Sequence, residues 1–203
     1  MTLSFKENNI SQRPALKMLK KLGYEYLSPD EAMELRGGNT SSVLLESVLR
    51  KQLAKINAVQ VSSWRTTLFS EQNITVGIDA LKKLPMSEGY IAAAQTAYDL
   101  LTAGKTVEQI VDGDKKSYVM QYIDWNNIEN NVFHVTEEFA VSRAGMSETY
   151  RPDIVLFVNG IPLCVIECKR PDIKDSLDQA ISQHLRNQKE DGIRSLYVDS
   201  ALL

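Results

Sequence analysis

Residues 151–171 read R-P-D-I-V-L-F-V-N-G-I-P-L-C-V-I-E-C-K-R-P. Two apolar runs flank Asn159-Gly160, a pair that reverses a chain because both residues accept positive φ. The stretch therefore predicts a β-hairpin over 153–168. Asp153 opens the first run, and Glu167-Cys168-Lys169 closes the second. Alternate strand residues share a face, so Glu167 and Lys169 point one way and Cys168 the other. Two carboxylates and a lysine at one end of an apolar hairpin make a poor core, because ionised groups are costly to bury unpaired. They suit a magnesium ion and a phosphate group.

The hairpin sets a geometric condition. A plain two-residue Asn-Gly loop pairs Asp153 with Ile166 and turns Glu167 to the opposite face. A three-residue loop, a five-residue loop or a bulge pairs Asp153 with Glu167 instead. Opposed Cβ atoms lie about 5 Å apart, close enough for both carboxylates to reach one cation, and magnesium needs few protein oxygens because it keeps several waters. A shared site requires one of these irregularities.

Outward from the hairpin, Phe133, Val135, Phe139 and Val141 alternate with mostly polar residues, as a half-exposed strand does. A helix is expected over 175–189 and a final strand over 194–198. Upstream, helices fit 11–22 (Ser11 as cap, Gly23 as stop), 30–36, and a long one capped by Ser41 or Ser42 and running to about Ile56. The last carries Val43, Leu44, Val48, Leu49 and Leu53 as its apolar stripe. A short helix fits 77–84 and a longer one 88–103, ended by Gly104, while 107–111 and 115–123 fit helix or strand. The whole reads as one α/β domain, 1–203. A helical portion over about 1–130 precedes a β-hairpin region over about 131–203, with a mixed β-sheet flanked by helices.

The chain has 203 residues, 43% of them hydrophobic, enough for a single sizeable core. No apolar run is long enough to span a membrane, and the N-terminus lacks the apolar stretch of a secretory signal. The two cysteines, Cys164 and Cys168, lie four strand residues or about 13 Å apart, too far for a disulfide. Buried thiols are expected, and His134 and His184 show no ligand spacing. The net charge of −3 argues against a strongly DNA-seeking module. Local basic clusters do occur: Lys169-Arg170 with Lys174, and Arg186 with Lys189. They read as solvated surface or as phosphate contacts beside the acids. The segment L-L-T-A-G-K-T at 100–106 imitates the end of a P-loop, but Asp99 stands where the first glycine is required.

The spacing Asp-x13-Glu-x-Lys resembles the PD-(D/E)xK nuclease motif. Embedded in R-P-D…N-G-I-P-L…E-C-K-R-P, it looks like the N-terminal nuclease region of the type I restriction endonuclease R (motor) subunit. F-K-E-N-N-I near the start, L-K-K-L-G-Y at 19–24 and V-L-L-E-S-V-L-R-K-Q-L at 43–53 fit the same family. The resemblance implies a restriction-endonuclease-like core in which Asp153 and Glu167 hold Mg2+ and Lys169 serves the attacking water or the developing phosphate charge. It also implies a Q-x-x-x-Y element on the following helix. Gln183 fits the glutamine, and Asn187 stands where tyrosine is usual. An accessory acid would be Glu7 or Glu46, the latter also readable as a surface glutamate bordering its stripe. Weak DNA phosphate contacts would come from Arg170, Lys174 and Arg186.

At the level of function, the resemblance implies Mg-dependent cleavage of double-stranded DNA by a bacterial or archaeal cytoplasmic enzyme. Cleavage would be coupled to translocation by ATP-binding motor domains that lie downstream, so the chain reads as an N-terminal piece of a longer protein. Modification (methyltransferase) and specificity subunits would be its partners. Two other readings fit the same residues: a different PD-(D/E)xK nuclease acting in repair or on junctions, and a non-cleaving docking module of the restriction complex.

Overall fold

The computed structural model describes residues 11–169 and 175–198. The elements run α1 (Arg13–Lys21), β1 (Glu25–Leu27), α2 (Pro29–Leu35), α3 (Glu46–Ile56), β2 (Ala58–Ser62), β3 (Arg65–Leu68), α4 (Glu71–Lys82) and α5 (Tyr90–Ala103). They continue with β4 (Lys105–Val111), β5 (Asp114–Met120), β6 (Phe133–Glu137), β7 (Val141–Ser142), β8 (Thr149–Tyr150), β9 (Ile154–Val158), β10 (Ile161–Ile166), α6 (Ser176–Asn187) and α7 (Arg194–Val198).

The central sheet has the order β1-β6-β9-β10. β1 runs parallel to β6, whereas β6–β9 and β9–β10 are antiparallel, so the sheet is mixed as expected. β9 buries Ile154, Val155, Leu156 and Phe157 in succession because both faces of the sheet are covered. On one face α1 brings Leu16 against Val135, Ile154, Leu156 and Cys168, with Cys164 and Ile166 beside them. On the other, Val155, Phe157, Ile161 and Val165 join the main core with Leu45, Leu49 and Leu53 around α3 and Leu196 and Tyr197 of α7. Fully burying a side chain of this size stabilises by about 1.5–3 kcal/mol, so the hairpin is anchored from both sides. Cys164 and Cys168 are free thiols, half-buried and buried, on the α1 face.

Several local expectations change. Ser11 does not cap α1; its hydroxyl donates to the Lys169 carbonyl at 2.7 Å, and the N-cap position belongs to Gln12. The third helix begins at Glu46, not at Ser41 or Ser42, because Leu45 N–H is taken by Gly160 O at 2.8 Å across the hairpin turn. Val43 and Leu44 are buried ahead of the helix. The helix expected over 77–84 is longer, Glu71–Lys82, and starts where Ser70 accepts the Asn73 N–H. The stretch read as helical also contains strand β1 and two antiparallel hairpins, β2–β3 and β4–β5.

The run expected as a last strand is helix α7. Leu196, Tyr197 and Val198 are all buried, and a short apolar run buried on every side carries no period that separates strand from helix. The chain turns into α7 through Ile193 N–H on Asn187 O at 2.8 Å. Gly104 is the helix stop expected of it: it ends α5 at φ 81°, and a Cβ there would meet Met120 O at 2.6 Å. Among the described residues, no helix is long and apolar enough to cross a membrane.

Candidate active site

The hairpin resolves its register by a bulge. Asn159 and Gly160 form the two-residue turn, with φ of 52° and 85°, and Ile161 pairs with Val158. Between Pro162 and Cys164 the register shifts, so Cys164 pairs with Leu156 and Ile166 with Ile154. One step further along that register, Glu167 stands opposite Asp153. The extra residue, Leu163, turns every later side chain of β10 over relative to β9. Without it the two acids would face opposite sides of the sheet.

The groups around this pair are held by named contacts. Asp153 Oδ2 accepts the Cys168 backbone N–H at 2.6 Å, a clamp across the strand ends. Glu167 has a fully buried side chain, and its Oε1 lacks a hydrogen-bond partner. Its carboxyl is pushed up to about 8, first by burial and then by the adjacent Asp153, with Lys169 acting in the opposite direction. Asp153 is near enough to push the Glu167 carboxyl up, and two ionised carboxylates side by side offer each other no donor. Such a pair is stable only when a proton or a cation lies between them.

Gln183, on the inner face of α6, links the acid to the lysine. Its Nε2 donates to Glu167 Oε2 at 2.5 Å, and its Oε1 accepts from Lys169 Nζ at 2.9 Å. Lys169 Nζ is 3.9 Å from Glu167 Oε2. An open groove of about 570 Å³ runs beside them, lined by Lys169, Gln183 and Arg186 among others. Arg186 is exposed at its rim, with its guanidinium 5.2 Å over the Tyr150 ring.

The structure thus brings together Asp153, Glu167, Lys169 and Gln183, with Arg186 alongside. It does not bring Glu46 to them. Glu46 opens α3 at the turn end of the hairpin, about 20 Å along β9 from Asp153, and its carboxylate is held by Lys82 at 2.7 Å and Arg50 at 3.5 Å. Glu7, Arg170 and Lys174 lie outside the described residues. Asn187, where the resemblance calls for tyrosine, is buried, and its Nδ2 donates to Tyr197 Oη at 3.2 Å. Tyr197 Oη also meets His184 Nδ1 at 3.1 Å.

Two neighbours of Asp153 escaped the sequence reading. Glu138 donates its N–H to the Asp153 carbonyl at 3.1 Å, and its carboxyl is raised by burial and by Asp153. Gln12, 1% exposed, donates from Nε2 to both that carbonyl and Glu137 Oε2, each at 3.1 Å. The adjacent acids Glu137-Glu138 at the end of the alternating strand β6 were a usable signal. The pairing of that strand with β9, and of α1 with both, was not legible. Among the described residues, no three His, Cys, Asp or Glu side chains gather as a ready-made metal cage.

Comparison with known proteins gives a consistent answer. The family model of the type I restriction enzyme R protein N terminus matches residues 4–198. The HindI type I restriction enzyme endonuclease subunit of Haemophilus influenzae is 30% identical over 199 residues, covering 95% of this chain and 17% of that protein. The MjaIXP endonuclease subunit of Methanocaldococcus jannaschii, itself only provisionally named as a type I restriction enzyme, is 26% identical over 200 residues, 97% of this chain and 18% of that protein. The chain spans about a sixth of the length of these curated relatives.

Proposed function

The chain belongs to the family of type I restriction enzyme R protein N-terminal domains, and from that premise we propose that it is an endonuclease domain hydrolysing DNA phosphodiester bonds with Mg2+. The observation that carries this reading is the convergence of Asp153, Glu167, Lys169 and Gln183 beside an open groove, with Glu167 Oε1 buried and lacking a donor. The β6–β9–β10 sheet, with an acid at the start of β9 and E-x-K at the end of β10, fits a PD-(D/E)xK core.

The donor set fits the metal. Both acids offer hard oxygen ligands, and an unpartnered buried carboxylate oxygen is what a dication would satisfy. Asp153 and Glu167 would hold Mg2+, which supplies charge neutralisation at the phosphate and a lower pKa for a bound water. The rest is done by the chain's own side chains. The Cys168 N–H fixes the Asp153 carboxylate so that it need not reorganise. Lys169 presents a cation at the groove, where it can orient the attacking water and offset charge building on the phosphate. Gln183 bridges the two side chains, donating to Glu167 and accepting from Lys169, so that both are held in one orientation. Arg186 at the rim can meet the DNA backbone, a contact that positions without reading sequence.

On this reading recognition of a DNA site belongs to partner specificity and modification subunits, and ATP-driven translocation to motor domains beyond this segment. A second reading, a non-cleaving docking module, draws on one observation: Asn187 is buried against Tyr197 and presents nothing to the groove. The intact Asp153, Glu167 and Lys169 favour cleavage over it and equally fit a repair or junction nuclease. Calorimetric magnesium titration of the wild type, Asp153→Ala and Glu167→Ala, followed by cleavage assays in the assembled complex, tests the proposal. Binding and cleavage lost in both variants support it. Cleavage that persists in both would end it. Magnesium binding without cleavage favours the docking module, and cleavage of branched DNA by this chain alone favours the junction nuclease.

A further inference from the structure

Away from the carboxylate pair, a cavity of about 440 Å³ lies among the end of α2, the start of α3, the end of α4 and α7. Arg36 forms part of its wall and is 4% exposed. Its Nη1 donates to Ser42 O at 3.3 Å and its guanidinium stacks 4.2 Å over the Phe139 ring, while Nε lacks a partner. Among the described residues no carboxylate pairs with it. Burial lowers its pKa only to about 10, so it stays charged at neutral pH. A buried cation without a counter-charge is strongly unfavourable unless an anion joins it.

The surroundings supply the rest of an anion site. Glu46 shares the wall, but its carboxylate is already offset by Lys82 and Arg50. The N-terminus of α3 opens on the same wall, and Leu45 at its N-cap position gives it no side-chain cap. Helix N-termini favour negative charge. Leu81, Met86 and Val198 add an apolar wall. The volume falls within the range of small-molecule sites.

We propose that this cavity binds a phosphate-bearing small molecule of mononucleotide size, with its phosphate on Arg36 and its ring against Leu81, Met86 and Val198. Arg36 would meet the phosphate through a charge-assisted hydrogen bond from the side of the guanidinium that Ser42 O does not take. The site shares no ligand with Asp153 and Glu167 and does not depend on the nuclease reading.

The test is calorimetry on the full chain with AMP, adenosine and inorganic phosphate as probes. AMP should bind, inorganic phosphate should compete with it, and adenosine should not bind. Arg36→Ala should weaken AMP by roughly tenfold or more, the scale of one charge-assisted pair, and Arg36→Lys by less. Because removing a buried arginine can unfold the domain, Ser195→Trp provides an independent variant. Ser195 is exposed at the cavity rim, and a tryptophan there fills the space while leaving Arg36 in place. With circular dichroism unchanged, Ser195→Trp should abolish AMP binding. No binding at millimolar AMP, adenosine binding as well as AMP, or unchanged binding in Ser195→Trp would each overturn the proposal.

Discussion

Gln183 donates its side-chain amide to Glu167 Oε2 at 2.5 Å, which fixes α6 to the end of β10 through the acid itself. The carbonyl of the same amide accepts from Lys169. Supporting groups of this kind are worth about 10–100-fold in metal affinity or activity. On the proposed nuclease reading, Gln183→Ala should therefore lower magnesium affinity and single-turnover cleavage by about that factor, and cost about 1–3 kcal/mol of stability because the buried Glu167 Oε2 loses its donor. Unchanged cleavage would reduce Gln183 to an ordinary helix residue.

The raised Glu167 carboxyl predicts a pH dependence of stability when metal is absent. Its value in the unfolded chain is near the ordinary 4.5, and in the folded protein about 8. Between these values the folded state holds a proton that the unfolded state has lost, so stability is full below about 4.5 and falls as pH rises towards 8. Glu167→Gln should flatten that slope, and magnesium should reduce it in the wild type. Urea denaturation from pH 5 to pH 8 measures it; parallel slopes for the two proteins would refute the assignment.

On the proposed metal site, magnesium would compete with the proton on Glu167, so metal affinity should rise with pH over the same window. Titrations at pH 6 and pH 8 should show tighter binding at pH 8, together with proton release that depends on buffer ionisation enthalpy. Affinity independent of pH would mean that Glu167 is not a ligand.

Gly160→Ala should destabilise the domain by about 2–4 kcal/mol, since left-handed backbone and a clash act together. Gly160 has φ +85°, and a Cβ there would meet Leu45 O at 2.6 Å and Leu49 N at 3.0 Å, where α3 docks on the turn. Chemical denaturation measures the loss. A stability change under 1 kcal/mol would show that α3 can move aside.

Tyr197→Phe removes the hydroxyl shared by Asn187 and His184 and should cost about 1–3 kcal/mol. Asn187→Tyr, which restores the residue expected from the family, should destabilise as well, because position 187 is buried and its backbone packs closely on Gly192. Gain of both stability and cleavage in Asn187→Tyr would show instead that the groove has room for the ring.

The sequence alone determined the hairpin, the residues at its polar end and the helix that follows. These are local properties: Asn-Gly supplies positive φ, apolar runs of strand length surround it, and parity puts Glu167 and Lys169 on one face. It also stated the condition under which Asp153 and Glu167 could meet. Which irregularity meets that condition was decided by tertiary packing. Asn159 is locked by Val132, Tyr122 and Asn131, which holds the tight turn, and the extra residue is accommodated at Leu163 instead. The placement of Glu46, the buried role of Asn187, the helical form of 194–198 and the approach of Glu138 and Gln12 to Asp153 depend on contacts between distant segments. No local period encodes those contacts, because they arise only when strands choose partners and helices choose faces.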